Sequence, residues 1–171
     1  MAAMKGKWAQ GITPRNFVWV LKDRLAVCER PGGYGPNHRR VRRQEEIIWI
    51  REQGFTRIVS LLPSPHNLHA YDELSMPWRH LPFASGDDDD AALVAVFSDL
   101  QAQLEAGDKV IVHMEEVGDR LQGTMGGYLL YSGLVPEGPR AIAMIEHLLH
   151  RQMGPAGREL VTAAARLGGT S

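Results

Sequence analysis

The sequence predicts a single α/β domain in three layers, with a central sheet covered by helices on both faces. Strand-like and helix-like segments alternate along the chain, which favours this architecture. The run KVIVH, residues 109–113, is short and almost wholly apolar, as expected of a strand in the middle of a covered sheet. The last third of the chain carries helical segments whose apolar residues recur on one face.

Length and composition are those of one ordinary globular domain. The chain has 171 residues, of which 44% are hydrophobic and 23% are charged, and this length suits one core better than two. The formal net charge of -1 gives no overall attraction to nucleic acid or to acidic membranes. Cys28 is the only cysteine, which excludes an intrachain disulfide and a cysteine-rich metal site.

The sequence shows neither a signal peptide at its start nor a membrane span. The start has no apolar segment of the signal-peptide kind, and no window approaches the roughly 18 apolar residues of a membrane span. We therefore expect a cytoplasmic protein without a membrane partner. The domain itself is expected to cover residues 15–166, between an N-terminal extension, 1–14, and a C-terminal tail, 167–171.

The first half of the chain predicts a hairpin, a helix and a core strand in that order. The segment FVWVLKDRLAVCER, residues 17–30, has two β-branched and aromatic runs around Lys22 and Asp23, which is typical of a hairpin. Residues 42–54 have helical composition and end at Gly54, a typical residue just past a helix. The apolar segment TRIVSLL, residues 56–62, then predicts a buried strand.

The middle of the chain predicts a short helix, a strand and a long amphipathic helix. Residues 64–74 favour the short helix, and the alternating WRHLPF, residues 78–83, favours the strand. The long helix follows four aspartates, residues 87–90, which suit its N-terminus. Its apolar face is formed by Leu93, Val96, Phe97, Leu100 and Leu104.

The C-terminal part predicts three helices after the KVIVH strand. They are expected over residues 123–133, 139–153 and 156–167. The last two have apolar sets that suit packing on a sheet. These sets are Ile142, Ile145, Leu148 and Leu149, and then Leu160, Val161 and Ala164.

The segment between the KVIVH strand and the next helix is laid out like a phosphate-binding loop. A loop at this place can aim several backbone N–H groups at one point, and the helix dipole adds positive potential. Gly118 permits a tight backbone path, and the guanidinium of Arg120 suits two oxygens of an anion. The predicted anion-binding loop consists of His113, Met114, Glu115, Glu116, Val117, Gly118, Asp119 and Arg120.

This loop resembles the signature of the cysteine-dependent protein phosphatases, in which a histidine and a cysteine are followed by five residues and an arginine. His113 and Arg120 have this spacing, and the flanking strand and helices are similar to those of the small dual-specificity, tyrosine-phosphatase-like proteins. The resemblance covers about residues 15 to 162. It implies a phosphatase-like domain with a mixed sheet of about four to five strands. It also implies a phosphoryl group held by the loop amides and by Arg120.

The loop departs from the family pattern where the family's chemistry takes place. Met114 stands at the position of the nucleophilic cysteine, and a thioether is neither deprotonated nor a nucleophile towards phosphate. Val117 stands where the family commonly has glycine, and Leu121 replaces the hydroxyl residue that serves the thiolate. Gln122 resembles an inserted residue before Gly123. The pattern therefore predicts a pseudophosphatase.

Three functions remain open from the sequence. The first is noncatalytic binding of a phosphorylated or other anionic ligand, or of a partner protein, through this loop. The second is a hydrolase that uses a loop carboxylate or an activated water instead of cysteine. Its catalytic residues would come from Asp87, Glu115, Glu116, Asp119 and Arg120. In the third, Arg120 pairs with the three acids of the loop, and binding takes place elsewhere.

Further polar clusters predict weaker sites. A basic lip for an anionic ligand is possible at Arg39, Arg40, Arg42 and Arg43. The simpler interpretation is an exposed helix start in which Arg42 pairs with Glu46, and nucleic-acid binding is not expected. His66 and His69 lie near Asp72 but have no clear further ligand for zinc. We therefore expect neither a metal nor a cofactor, and we expect Cys28 to be a small buried residue.

Overall fold

The computed structural model describes residues 10–33, 36, 38–65, 67–83 and 90–168. Within them the chain forms five strands and six helices. The first half contains β1 (Val18–Leu21), β2 (Leu25–Glu29), α1 (Arg40–Glu52), β3 (Arg57–Ser60), α2 (His69–Glu73) and β4 (Trp78–His80). The second half contains α3 (Asp90–Glu105), β5 (Val110–Met114), α4 (Asp119–Tyr131), α5 (Gly138–Leu149) and α6 (Pro155–Leu167).

The strands form one mixed sheet in the order β1-β2-β5-β3-β4. β1 and β2 are the antiparallel hairpin predicted from the sequence, whereas all other pairs are parallel. β5 is the central strand, and Val112 lies opposite Val27 of β2 and Val59 of β3. The carboxyl ends of the four parallel strands β2, β5, β3 and β4 therefore meet at one edge, where ligands bind in open α/β sheets.

Helices cover both faces of the sheet, so the three-layer α/β prediction is confirmed. Val110 and Val112 of β5 belong to the larger core, which also contains residues of α3, α4, α5 and α6. Ile111 points to the opposite face and packs in the smaller core with Ile47 and Ile50 of α1. Because successive strand residues alternate between faces, β5 is buried on both sides, as its apolar run predicted.

The boundaries of several elements differ from the predicted ones. α4 begins at Asp119, four residues before the predicted start at Gly123, so the whole first turn after the loop is helical. α5 ends at Leu149 because His150 has the left-handed conformation, with φ 54°. β4 is limited to three residues. None of the helices in the described residues is long and apolar enough to cross a membrane.

Candidate functional site

The predicted anion-binding loop lies at the carboxyl edge of the sheet, between the end of β5 and the start of α4. Residues 115–118 connect the two elements. Gly118 precedes the helix and offers no side-chain cap to its first N–H groups. Within the described part of the chain, the N–H groups of Val117 and Gly118 have no hydrogen-bond acceptor. Such donors at a helix N-terminus favour an anion.

A cleft of about 440 Å³ opens beside this loop. Its volume lies in the range of small-molecule sites. One wall is largely apolar, whereas the loop supplies the polar wall. The lining residues are Leu61, Leu62, Pro63, Phe83, Met114, Glu115, Glu116, Gly118, Asp119, Arg120, Leu121 and Arg151.

Met114 and Arg120 both line this cleft. Met114 is the last residue of β5 and is partly buried, so its thioether occupies the position that the resemblance gives to a thiolate. The guanidinium carbon of Arg120 lies 4.7 Å from the ring centroid of Phe83, close enough for a cation–π contact. The cleft thus combines a cationic group with an apolar wall.

Glu115 is held by a residue outside the loop. Arg30 follows β2, and its Nη1 donates to the two carboxylate oxygens of Glu115 at 3.1 and 3.3 Å. The backbone N–H of Arg30 also donates to the carbonyl oxygen of Glu115, at 3.3 Å. This two-point contact joins the β2–α1 loop to the residue that directly follows Met114. It balances one of the negative charges that the sequence places beside the anion site.

Asp119 is turned towards α6. Its Oδ1 accepts the backbone N–H of Gly154 at 2.6 Å, and its Oδ2 accepts that of Gly157 at 2.9 Å. Both carboxylate oxygens are therefore hydrogen-bonded to a neighbouring helix. Glu116, in contrast, is exposed. The three loop acids thus differ in environment, which the sequence did not predict.

His113, the first residue of the predicted loop, is a buried and hydrogen-bonded core histidine. Its Nδ1 donates to the carbonyl oxygen of Met114 at 3.1 Å, so its Nε2 accepts the hydroxyl of Tyr71 at 3.0 Å. Burial lowers the pKa of His113 to about 4, and the positive charge of Arg30 acts in the same direction. The ring is therefore neutral near pH 7, and it connects the start of the loop to α2.

Arg151 lines the same cleft, although no pattern in the sequence indicated it. Its Nη1 donates to the carbonyl oxygen of Val117 at 3.3 Å. The side-chain amide of Gln122 donates to the carbonyl oxygen of Arg151 at 3.0 Å. The residue that resembled an insertion before Gly123 therefore has a structural role, because it is buried and fixes the backbone that carries Arg151.

The predicted basic lip is divided by the fold. Arg39 and Arg40 are exposed, whereas Arg43 is buried and lies 3.4 Å from the ring of His38. Arg42 pairs with the buried Glu46 at 3.4 Å, in the i, i+4 contact that the sequence offered as the simpler interpretation. Of the four arginines, Arg39 and Arg40 are thus the two that are fully at the surface.

The other candidate residues contribute little to the site. Cys28 is buried, as predicted, and burial raises the pKa of its thiol. Asp87 and His66 lie outside the described residues. Among the residues that are described, no group of three or more histidine, cysteine, aspartate or glutamate side chains could hold a metal ion. The sequence signals missed Phe83, Arg30 and Arg151, which reach the loop only through the fold.

Comparison with known proteins relates this arrangement to a known fold. No family model matches the sequence, and no curated protein matches it. Solved structures do match. A kinase associated phosphatase, solved with its catalytic-site cysteine replaced by serine, is similar with a TM-score of 0.74 and 19% identity, over 93% of this chain and 99% of that chain.

Two further structures agree with this match. Tk-PTP in its active form has a TM-score of 0.70 and 14% identity, over 88% of this chain and 97% of that chain. A mouse dual-specificity phosphatase complexed with zinc tungstate has a TM-score of 0.66 and 14% identity, over 96% of this chain and 94% of that chain. The fold is that of the dual-specificity phosphatases. At these identities the similarity establishes the phosphatase fold and leaves the activity to be derived from the site.

Proposed function

We propose that this phosphatase-fold protein is a noncatalytic binding domain, a pseudophosphatase that holds an anionic group in the cleft beside residues 114–120. The anion is a phosphoryl group or a similar group, on a small molecule or on a partner protein. One observation carries the proposal. The same cleft is lined by Arg120, by the start of α4, which Gly118 does not cap with a side chain, and by Met114 at the position of the nucleophile. Such a loop attracts a phosphoryl group, but its thioether cannot form a covalent bond to the phosphorus atom.

The environments of the loop acids support binding. Glu115 is balanced by Arg30, and both carboxylate oxygens of Asp119 accept N–H groups at the start of α6. Their repulsion of a bound anion is thereby reduced, because each negative charge faces a positive partner or dipole. The apolar wall that contains Leu62 and Phe83 suits the carbon part of a phosphate ester.

Titration calorimetry with phosphate and with tungstate tests this function. We expect both anions to bind the wild-type protein, and Arg120→Ala to lower the affinity about tenfold, because one charge-assisted contact is lost. Arg140→Ala is the matched control, since Arg140 is an exposed arginine of α5 outside the cleft lining. If the wild-type protein binds neither anion, or if Arg120→Ala binds as well as Arg140→Ala, the proposal fails.

A hydrolase without cysteine is the alternative function. The contacts of Asp119 disfavour it as a nucleophile, because hydrogen bonds to both oxygens lower their reactivity. Glu116 is an exposed carboxylate of the cleft and is the candidate that such a reaction would use first. We expect no turnover of p-nitrophenyl phosphate at any pH or with added metals. Turnover that Glu116→Gln abolishes would favour the hydrolase over the binding domain.

A further inference from the structure

The carboxylate of Asp119 caps a helix to which it does not belong. α6 begins after Gly154, which has no side chain to accept the first N–H groups of the helix. Asp119, the first residue of α4, accepts the N–H groups of Gly154 and Gly157 instead, at 2.6 and 2.9 Å. A negative charge at this end of α6 also interacts favourably with the helix dipole. The start of α4 and the start of α6 are therefore held by one side chain.

The backbones of the two helices are also in direct contact beside this carboxylate. A Cβ atom at Gly157 would lie 2.6 Å from Oδ1 of Asp119 and 2.7 Å from its carbonyl oxygen. A Cβ atom at Gly123 would lie 2.4 Å from the Cα atom of Gly157. Distances this short leave no room for a side chain, so α4 and α6 can approach this closely only with glycine at both places.

We propose that Asp119 is a positioning residue of the anion-binding loop. Its hydrogen bonds to the start of α6 fix the conformation of the loop. The inference rests on the proposed function and deepens it. Asp119 lies between Gly118 and Arg120, at the junction of loop and helix. When α6 fixes its carboxylate, it also fixes the backbone that carries Arg120 and the first N–H groups of α4. The two contacts with α6 also direct the negative charge of Asp119 away from an anion in the cleft.

The direction in which anion affinity changes in Asp119→Ala separates a positioning role from a simple effect of charge. If Asp119 were only a negative charge beside the site, its removal would strengthen anion binding, because repulsion would fall. If it positions the loop, Asp119→Ala weakens anion binding in spite of the lost repulsion. Asp119→Asn keeps one oxygen acceptor but sets an amide NH₂ against a backbone N–H, so it also weakens binding, to a smaller extent.

A second variant tests the contact without a change of charge. Gly157→Ala forces a Cβ atom against Asp119 and lies outside the cleft lining. Gly138→Ala is the matched control, because Gly138 also begins a helix, α5, and its Cβ atom would meet side chains only at 3.7 and 3.9 Å. We expect phosphate affinity, measured by titration calorimetry, to fall about tenfold in Gly157→Ala. We expect it to stay unchanged in Gly138→Ala.

Amide hydrogen exchange completes the experiment and separates the two proposals. We expect faster exchange at residues 115–120 in Asp119→Ala and Gly157→Ala than in Gly138→Ala. If the wild-type protein binds no phosphate, the proposed function fails, and the exchange rates alone decide the positioning role. If Gly157→Ala does not fold, Asp119→Ala decides it. Unchanged or stronger phosphate binding by folded Asp119→Ala overturns the inference, as does loop exchange equal to that of Gly138→Ala.

Discussion

Met114 offers a direct chemical probe of the loop. A cysteine at this position would lie close to the uncapped start of α4 and to Arg120. Both features stabilise a thiolate, so its thiol pKa is expected to lie about one unit or more below the ordinary value near 8.5. The pH dependence of alkylation by iodoacetamide measures this pKa in Met114→Cys, in a Cys28→Ser background.

Met144→Cys in the same background is the control for this measurement. Met144 is an exposed methionine of α5, with 37% of its surface accessible, so a cysteine there is expected to titrate with an ordinary pKa. Equal thiol pKa values at positions 114 and 144 would mean that the electrostatic potential at the loop does not favour an anion.

His113 makes the stability of the protein depend on pH. Its pKa is about 4 in the folded protein and 6.5 in the reference state, so the unfolded chain binds more protons between these values. The contribution of the neutral ring to the free energy of unfolding is therefore fully present above pH 6.5, and it is lost as the pH drops towards 4. A pKa lowered from 6.5 to about 4 corresponds to about 3 kcal/mol of stability that is lost on acidification.

Urea unfolding at pH 7 and at pH 4.5 measures this contribution. His113→Gln removes the titrating ring, and we expect its loss of stability between the two pH values to be smaller than that of the wild-type protein. His147→Gln changes an exposed histidine of α5 and is expected to keep the wild-type dependence. An unchanged pH dependence in His113→Gln would show that the buried ring is not the titrating group.

At the scale of elements, the contact between the β2–α1 loop and the anion-binding loop is expected to control charge in the cleft. Arg30→Ala leaves the carboxylate of Glu115 without the ion pair at 3.1 Å. We expect its phosphate affinity to fall several-fold, since the unbalanced charge repels the anion. The ion pair itself is expected to contribute about 1 kcal/mol or less to stability, because the Glu115 side chain is 45% exposed.

A double-mutant cycle tests this explanation. Glu115→Gln removes the repelling charge, so the double variant Arg30→Ala, Glu115→Gln is expected to recover most of the phosphate affinity measured by calorimetry. If the double variant binds as weakly as Arg30→Ala alone, Arg30 acts on the anion itself and not through Glu115.

The elements were largely predictable from the sequence because their signals are local. The apolar face of α3, the hairpin around Lys22 and Asp23, and the buried run of β5 each follow from a period or a turn within a few residues. The start of α4 was placed too late. Gly123 resembled a helix boundary, whereas in the structure it allows a close contact with Gly157 of α6.

At the scale of the whole molecule, the site could be predicted only in part. The loop and Arg120 were found because they are contiguous and resemble a known signature. Arg30, Phe83 and Arg151 were not found, because the fold brings them to the loop from distant parts of the chain. The hydrogen-bond partners of the loop acids could not be predicted either, since Glu115 and Asp119 each bind residues at least 35 positions away in the sequence.

A structure determined with bound tungstate is the most direct test of the central claim that this loop holds an anion without turning it over. We predict tungstate beside Met114, within hydrogen-bond distance of the guanidinium of Arg120 and of N–H groups at the start of α4, and its loss in Arg120→Ala. A cleft that stays without tungstate at concentrations that saturate an active dual-specificity phosphatase, or tungstate bound only elsewhere, would contradict the claim.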